Sequence, residues 1–231
     1  VYRAPSISLL ATGSELVSAG LLLKPGQIYD SNRLVLQRLI GLSGGACHDL
    51  GVVKDDPNEI KQRIQQGLNS DLLMISGGVS VGAHDYVKTI LKDLGVETVF
   101  WKVQMKPGKP IFCGRTPTGW VFGLPGNPIS CVVGYLVFIE PLIRRLIGEA
   151  NAKVNYQKAV LMETVHKKDD RTFYMTAQIT PGEAGGLQAT ATRKQGSAMM
   201  QALSESNGFV VVPEACKEIK GGETVDVLQY Q

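Results

Sequence analysis

The sequence predicts an α/β fold: a three-layer α/β/α domain with a mostly parallel sheet, followed by a small β-barrel domain. In residues 1–150, short apolar runs alternate with segments whose apolar residues recur at helical spacing. This alternation is typical of a parallel or mixed sheet that is covered on both faces. From 151 to 231 the chain instead carries short β-type runs separated by turn signals such as Pro181-Gly182, which favour a barrel or sandwich.

The individual elements follow from these runs and from the residues that bound them. Strands are predicted at 6–12, 46–53, 71–76, 96–103, 110–115 and 120–124. Helices are expected to begin near Ser31, Pro57 and Asp85, and a long one after Asn127, because caps or proline precede helical spacing there. Five barrel strands are predicted at 159–165, 172–179, 187–192, 208–213 and 224–228. In such a sheet, ligands bind beyond the carboxyl ends of the strands.

Length, composition and charge exclude several classes of protein. The 231 residues are 44% hydrophobic and carry a formal net charge of +3, and no apolar run approaches the roughly 18 residues of a transmembrane helix. Neither a signal peptide nor a basic run interleaved with aromatic residues is recognised. We therefore expect no membrane span and no nucleic-acid partner. The positive excess lies in residues 1–150, which favours a small anionic ligand.

Cysteine usage and the first residue add two expectations. The four cysteines lie among apolar neighbours and show no C-x-x-C spacing. This predicts reduced core thiols rather than zinc ligands or disulfides, and a cytoplasmic protein. Because the chain begins at Val1 without an initiating methionine, we expect a fragment or processed chain whose upstream part is missing.

Four motifs follow predicted strands and together indicate an anion site. They read TGSEL at 12–16, GGVSVG at 77–82, KPGKP at 106–110 and GLPGNP at 123–128. Glycine-rich loops bring backbone N–H groups near helix starts, where oxyanions bind. A plain strand-to-helix turn is the alternative for 77–82, and a structural turn is the alternative for 125–130.

Carboxylates near the ends of different strands predict a cation site. Glu15 has no packing task, and Asp56 and Asp85 precede predicted helices. Two or three such carboxylates can share one Mg²⁺, which prefers oxygen ligands. The alternatives are a solvated loop residue for Glu15 and a helix cap for Asp85. For Asp55 we prefer the capping role, which leaves Asp56 as the better metal ligand.

Two lysines are expected to bind the anion. Lys106 and Lys109 lie in a loop stiffened by Pro107 and Pro110, which lowers the entropic cost of directing two ammonium groups toward one anion. A surface lysine is the alternative, and for Lys102 it weighs as much as anion binding. The chain lacks the G-x-S-x-G elbow, the phosphate loop G-x-x-x-x-G-K-[ST] and a suitably placed G-x-G-x-x-G, which weakens hydrolase, NTPase and dehydrogenase interpretations.

The order of the motifs resembles one known family, the molybdopterin molybdotransferases of the MoeA and gephyrin E-domain type. The resemblance rests on TGSEL, GQIYDSN at 26–32, DDP at 55–57, the stretch 77–85, KPGKP and GLPGNP. The tripeptide QGS at 195–197 and the β-rich tail are similar to that family's C-terminal domain. The resemblance covers essentially the whole chain, and implies a molybdopterin-binding α/β/α domain at 1–150 and a C-terminal β-barrel domain at 151–231.

The resemblance implies the last step of molybdenum cofactor assembly. In that step molybdate is inserted into the dithiolene of adenylylated molybdopterin, with Mg²⁺-assisted release of AMP. The catalytic residues implied by motif position are Glu15, Asp56, Asp85, Lys102 and Lys106. The three carboxylates among them, Glu15, Asp56 and Asp85, are the implied metal ligands.

The resemblance also implies contacts to the phosphate, the pterin or molybdate. Their positions are Thr12, Gly13, Ser14, Gly77, Gly78, Val79, Ser80, Gly82, Lys109, Pro125, Gly126, Asn127, Ser130, Arg171 and Ser197. Ser14 stands where an Asp is frequent in the family, and its hydroxyl still permits binding.

Family members carry two further domains ahead of this region, which help to build a homodimer and contribute an Asp and a Thr to the active site. We therefore expect this chain alone to bind ligand weakly and to turn over poorly. Molybdopterin adenylyltransferase and molybdoenzymes are the partners implied. The alternatives are a molybdopterin adenylyltransferase, a gephyrin-like scaffold that binds partner peptides and, more weakly, a CinA-type nucleotide-related hydrolase.

Overall fold

The computed structural model of the chain describes residues 2–79, 86–182, 185–192, 196 and 200–230. The strands of the α/β part are Ser6–Thr12 (β1), Leu16–Val17 (β2), Ile28–Tyr29 (β3), Ala46–Val53 (β4), Leu72–Ser76 (β5), Glu97–Trp101 (β6), Met105–Lys106 (β7), Phe112–Arg115 (β8) and Trp120–Leu124 (β9). Its helices are Ser31–Leu42 (α1), Pro57–Gly67 (α2), Tyr86–Asp93 (α3), Pro128–Gly134 (α4) and Glu140–Leu146 (α5), with a π-helical turn at Tyr135–Ile139.

The remaining elements are mostly strands. They are Gln157–Leu161 (β10), Val165–His166 (β11), Thr172–Pro181 (β12), Leu187–Ala191 (β13), Gly208–Val212 (β14), Glu218–Ile219 (β15) and Thr224–Gln229 (β16), together with the helix Met200–Ser204 (α6). The sequence did not predict α6. The division of the chain at residue 150 stays a prediction.

A six-stranded sheet in the order β4-β1-β5-β9-β8-β6 forms the centre of the α/β part. Strands β4, β1, β5 and β9 are parallel, whereas β8 runs antiparallel to both β9 and β6. Residues 116–119 join β8 to β9, and so short a connection permits a hairpin but no parallel crossover. The predicted α/β class with a mostly parallel sheet is confirmed.

Helices cover both faces of this sheet. In β5, Leu72 and Met74 pack in the core with α1 and α4, whereas Leu73 and Ile75 pack in a second core with α2 and α3. Successive side chains of a strand point to opposite faces, so a continuous apolar run is what a doubly covered strand requires. The three-layer arrangement is thereby confirmed.

The apolar segment after Asn127 was predicted as one long helix, but it forms α4, the π-helical turn and α5 in succession. Pro141 lies at the start of α5. Proline lacks an N–H group and its ring collides with the carbonyl four residues earlier, so the regular hydrogen-bond ladder cannot continue through it. The π-helical turn just before Pro141 accommodates this break in the hydrogen-bond ladder.

The second part of the chain is a closed five-stranded barrel. Its strands follow the order β13-β10-β16-β14-β12, and the pairing of β12 with β13 closes the circle. The long strand β12 makes this possible, because residues 173–177 pair with β14 and residues 177–181 pair with β13. The predicted barrel is confirmed.

The barrel is joined to the α/β part by both a strand and a shared core. Strand β7 leads into the lysine loop, residues 106–110 with Lys106 and Lys109, and pairs in parallel with the start of β12. Met105, Tyr174, Leu203 and Phe209 belong to the same buried cluster as the sheet residues under α1 and α4. The barrel wall therefore has a defined position beside the carboxyl edge of the sheet.

Two further structural details bear on the sequence predictions. The strand predicted at 96–103 ends at Trp101, because Lys102 adopts a positive φ of 68° that no extended strand accommodates. In the described part of the chain, none of the helices is long and apolar enough to cross a membrane.

Candidate functional site

A cleft of about 750 Å³ lies at the carboxyl edge of the large sheet. Loops that follow β1, β5 and β9 line it, as do the lysine loop and strand β12 of the barrel. The predicted site residues that line it are Thr12, Gly13, Glu15, Gly77, Gly78, Lys106, Lys109, Pro125, Gly126, Asn127, Ser130 and Arg171. The parallel strands thus bring motifs that lie far apart in the sequence to one cleft, as expected for this type of sheet.

The loop after β1 presents Glu15 to the cleft. A Cβ atom at Gly13 would lie 2.7 Å from Oε2 of Glu15, so only glycine allows the carboxylate to fold back over its own loop. Ser14 does not line the cleft. Its amide donates to Oδ2 of Asp55 at 3.0 Å, and the Asp55 amide donates to the Ser14 hydroxyl at 3.1 Å. This reciprocal pair ties the loop after β1 to the loop after β4.

The structure exchanges the positions expected for the two neighbouring aspartates, one at the helix cap and one at the cleft. Asp56 is the N-cap of α2, and its carboxylate accepts the Glu59 amide at 2.8 Å. Asp55, which was predicted to be the cap, lines the cleft instead. Pro57 occupies the first position of α2, which makes the residue before it the cap. The capping prediction for Asp55 is therefore wrong, and Asp56 is not among the residues that line the cleft.

Replacing Asp56 with alanine is expected to destabilise the protein by about 1 kcal/mol, because α2 loses its side-chain cap. Asp55→Ala, the matched variant next to it, keeps this cap and removes only the bond to Ser14. Urea denaturation of both variants measures the difference. A larger loss for Asp55→Ala than for Asp56→Ala would contradict this assignment of the cap.

The glycine loop is only partly available to an anion. The Gly77 amide donates to the Leu124 carbonyl at 3.0 Å, so this N–H group is already used within the fold. Val79 is fully buried, and its Cγ1 atom lies 2.4 Å from the position that a Cβ of Gly123 would take. Its side chain therefore belongs to the core rather than to the cleft. Ser80, Gly82 and Asp85 lie outside the described residues.

Asn32 joins the start of α1 to two walls of the cleft. Its Nδ2 atom donates to the Gly126 carbonyl at 2.7 Å and lies 3.3 Å from the Ser76 hydroxyl oxygen. In the sequence, Asn32 is recognised only as part of the motif GQIYDSN at 26–32. Its place two residues after the cap Asp30, at a helix start that faces the cleft, is the signal that could have identified it.

Two cleft-lining residues carry buried polar atoms without a partner. Among the described residues, neither the Thr12 hydroxyl nor Oδ1 of Asn32 has a hydrogen-bond partner. A buried polar atom that lacks a partner costs free energy. A ligand that reaches either atom with a donor would recover part of that cost.

The lysine loop directs Lys106 and Lys109 to the cleft, but not Lys102. Lys102 Nζ lies 4.1 Å from the centre of the Trp101 ring, a cation–π arrangement. Lys102 is exposed, as in the surface alternative considered for it.

The barrel supplies the facing wall. Arg171 lines the cleft as predicted, together with Phe173, Tyr174 and Thr176, which were not predicted from the sequence. In a strand, apolar alternation looks the same whether a residue faces a core or a ligand, so the sequence carries no signal for these three. Ser197 lies outside the described residues.

Three environments near the cleft shift a pKa. The Arg171 guanidinium, donating to Asp169, lowers the pKa of that carboxyl to about 2, so Asp169 is charged at neutral pH. Burial raises the pKa of the Cys131 thiol to about 12, and its Sγ donates to the Pro125 carbonyl at 2.8 Å. Burial also raises the pKa of Tyr174. Cys131 therefore packs as a neutral thiol, as predicted for a core cysteine.

The charged side chains described around the cleft form two groups. Glu15 and Asp55 are the carboxylates, whereas Lys106, Lys109 and Arg171 are the cations. Within the described ranges, no three His, Cys, Asp or Glu side chains form a cluster that could hold a metal ion. Mg²⁺ is usually held by one or two carboxylates together with substrate phosphates, so Glu15 and Asp55 fit that mode of binding and not a cage made by protein alone.

Comparison with known proteins agrees with the order of the motifs. A family model described as "Probable molybdopterin binding domain" matches residues 8–145, and a second, "MoeA C-terminal region (domain IV)", matches residues 158–230. The chain is 34% identical over 228 residues to the molybdopterin molybdenumtransferase of Haemophilus influenzae, covering 98% of this chain and 56% of that protein. It is 34% identical over 236 residues to the protein of the same name from Nostoc, covering 99% and 54%.

A solved structure agrees as well. The molybdopterin biosynthesis MoeA protein from Pyrococcus horikosii superposes with a TM-score of 0.84 at 31% identity, covering 99% of this chain and 55% of that one. The chain thus spans about half the length of the relatives it matches. The resemblance drawn from the motifs is confirmed. The chain therefore belongs to the MoeA family of molybdopterin molybdenumtransferases, of which it carries the molybdopterin-binding domain and the C-terminal region.

Proposed function

We propose that the complete protein inserts molybdenum into the molybdenum cofactor. In this reaction molybdate is transferred onto the dithiolene of adenylylated molybdopterin, and AMP is released with the help of Mg²⁺. The observation that carries the proposal is the composition of one cleft of about 750 Å³, which is lined by two carboxylates and three cations. The curated relatives, named molybdopterin molybdenumtransferases, support it.

The size and charge of the cleft suit a large anionic substrate. Its volume falls within the range of roughly 300–1,000 Å³ that is usual for small-molecule sites. Lys106, Lys109 and Arg171 provide charge-assisted hydrogen bonds for phosphate and molybdate oxygens. The orphaned acceptor of Asn32 suits a donor group such as those on a pterin ring.

The residues of this chain would bind and orient the two reactants rather than exchange protons with them. Lys106 and Arg171 approach the cleft from the lysine loop and the barrel, so an oxyanion between them would be fixed against both parts of the chain. Holding the molybdate and the dithiolene in one geometry replaces an encounter in solution by a reaction between bound groups.

Glu15 and Asp55 are the described residues that would hold Mg²⁺. When bound, the ion would neutralise phosphate charge and stabilise the leaving AMP. Ser14 positions Asp55 through the paired hydrogen bonds described above, so this serine contributes although it does not line the cleft. We further propose that the complete protein is a cytoplasmic homodimer whose upstream domains complete the site.

Two of the alternative functions, adenylylation of molybdopterin and a peptide-binding scaffold, receive less support. The barrel forms a full wall of the cleft through Arg171, Phe173, Tyr174 and Thr176, and this wall would serve insertion, for which molybdate must be bound beside the pterin. A scaffold that binds peptides would have no need for Lys106 and Arg171 to converge on an internal cleft.

The test is AMP release from adenylylated molybdopterin by the full-length protein, with Mg²⁺ and with or without molybdate. Wild-type protein is expected to release AMP only when molybdate is present. Glu15→Gln is expected to slow this release at least about 10-fold, because a neutral amide is a poor ligand for Mg²⁺. Glu97→Gln is the control, since Glu97 pairs with Arg115 at the outer edge of the sheet.

Three results would contradict the proposal. AMP release that does not depend on molybdate would show that the release of AMP is not coupled to molybdate insertion. Adenylylation of molybdopterin by ATP would favour the adenylyltransferase alternative. Peptide capture by a protein that binds molybdopterin without turnover would favour the scaffold.

A further inference from the structure

We infer that Asp169 is a positioning residue that holds Lys106 and Arg171 together as one oxyanion-binding unit across the junction between the α/β part and the barrel. The inference rests on the proposed function, in which these two cations bind molybdate. Asp169 was not among the candidate site residues, and it does not line the cleft. It lies behind the two cations that do.

The two side-chain contacts of Asp169 converge on one of its carboxylate oxygens. Oδ2 accepts a hydrogen bond from the Arg171 guanidinium at 3.0 Å and lies 3.4 Å from Nζ of Lys106. Oδ1 accepts the backbone amide of Arg171 at 3.2 Å. One carboxylate thus contacts a cation from each part of the chain. Without it, the two neighbouring positive groups would repel each other.

The backbone brings these three residues into register. Lys106 is paired with Phe173 where β7 joins β12, and the Thr172 amide donates to the Gln104 carbonyl at 3.0 Å. Nζ of Lys106 also lies 4.7 Å from the centre of the Phe173 ring. The lysine loop is therefore held to the barrel strand that carries Arg171, and Asp169 completes the link through side chains.

The turn that carries Asp169 is itself held in place by Lys167. Lys167 is buried, and its ammonium group donates to the Arg171 carbonyl at 2.6 Å and to the Glu214 carbonyl at 2.9 Å. The Asp169 carboxylate therefore has a defined position before any ligand arrives. Such preorganisation reduces the cost of ordering the two cations when an anion binds.

Asparagine cannot replace this carboxylate. Asp169 accepts from two donors on Arg171 and faces a third donor on Lys106, whereas an amide has one acceptor oxygen and a donor NH₂ group. In Asp169→Asn at least one donor would face another donor. Glutamate keeps both oxygens on a longer side chain, so Asp169→Glu is the conservative variant.

The experiment compares full-length wild-type protein with Asp169→Asn, Asp169→Glu and Asp170→Asn. Asp170 is the matched control, because it is the neighbouring aspartate and pairs with Lys217. Molybdate-dependent AMP release gives KM for molybdate and kcat, and calorimetric titration with molybdate gives binding without turnover. Urea denaturation reports any general loss of stability.

Asp169→Asn is expected to raise KM and Kd for molybdate about 10-fold while kcat changes by less than about 3-fold, since positioning acts on binding of the oxyanion. Asp169→Glu should recover part of this loss, and Asp170→Asn should match wild type. Tighter molybdate binding by Asp169→Asn would overturn the inference, because the carboxylate would then act only by reducing positive charge. Equal values for Asp169→Asn and Asp170→Asn would overturn it too.

Failure of the proposed function gives a different result. In that case wild-type protein itself would neither bind molybdate nor show AMP release that depends on it. If wild type does both and the substitutions at Asp169 have no effect on either, the inference alone is wrong.

Discussion

Replacing Gly77 with alanine is expected to lower the free energy of unfolding by about 3 kcal/mol or more, among the larger effects of a single substitution. Gly77 has a φ of +90°, and a Cβ atom there would lie 2.3 Å from the carbonyl oxygen of Thr12. This oxygen belongs to the backbone of Thr12, the last residue of β1. No rotation of a side chain can relieve the contact, so the strand end itself would have to move.

Two other glycines separate the causes of this effect. Gly51 has a φ of +80° but no atom near its ideal Cβ position, so Gly51→Ala measures the cost of the backbone conformation alone, about 1 kcal/mol. Gly126 lines the same cleft and also has open space around it. Urea denaturation of the three variants gives the comparison. If Gly77→Ala lost no more stability than Gly51→Ala, the steric argument would be wrong.

Gly77→Ala should also damage the cleft. Gly77 lies directly beside Thr12, and its amide donates a hydrogen bond to the Leu124 carbonyl at 3.0 Å. Displacement of Gly77 would therefore shift the ends of β1 and β9 together. We expect Gly126→Ala to disturb stability by less than about 1 kcal/mol, as is usual for a substitution into open space.

The second large effect is expected for Lys106→Ala, which should lower kcat/KM for molybdate-dependent AMP release about 100-fold in the full-length protein. This equals about 2.7 kcal/mol, within the range for a charge-assisted hydrogen bond to a bound anion. Lys106 lines the cleft beside Arg171 and shares Asp169 with it. Its removal therefore takes away one of the two positive charges that share the Asp169 carboxylate.

Steady-state kinetics with varied molybdate measure this effect. Lys158→Ala serves as the control, since Lys158 is an exposed barrel lysine that pairs with Asp226 at 2.8 Å. Lys106→Arg keeps the positive charge on a planar group of different shape, and is expected to recover part of the activity. An unchanged kcat/KM in Lys106→Ala would remove Lys106 from the proposed mechanism.

Several features of the fold could be predicted because they depend on local chemistry. The apolar run of β5 indicated a strand covered on both faces, and Leu72 and Leu73 do pack into opposite cores. The proline after Asp56 indicated the start of a helix, and α2 begins there. Which aspartate faces the cleft was not decided locally. If α2 began one residue earlier, Asp55 would be its cap and Asp56 would no longer be.

Contacts between distant segments were not predictable in the same way. Val79 lies inside a glycine-rich motif, yet its side chain packs against Gly123 in the core. The pairing of Met105 and Lys106 with β12 joins residues more than sixty positions apart. No local pattern distinguishes these two residues from an ordinary loop.

The sequence by itself determined the α/β class, the barrel and the loops that carry the candidate site residues, because periodicity, turn residues and motif order are local properties of the chain. Only the tertiary structure decided which of the candidate side chains converge on one cleft. That choice depends on strand order and on the pairing of β7 with β12, which bring Lys106, Asp169 and Arg171 together. Interactions between distant segments act through space, and the spacing of residues along the chain does not record them.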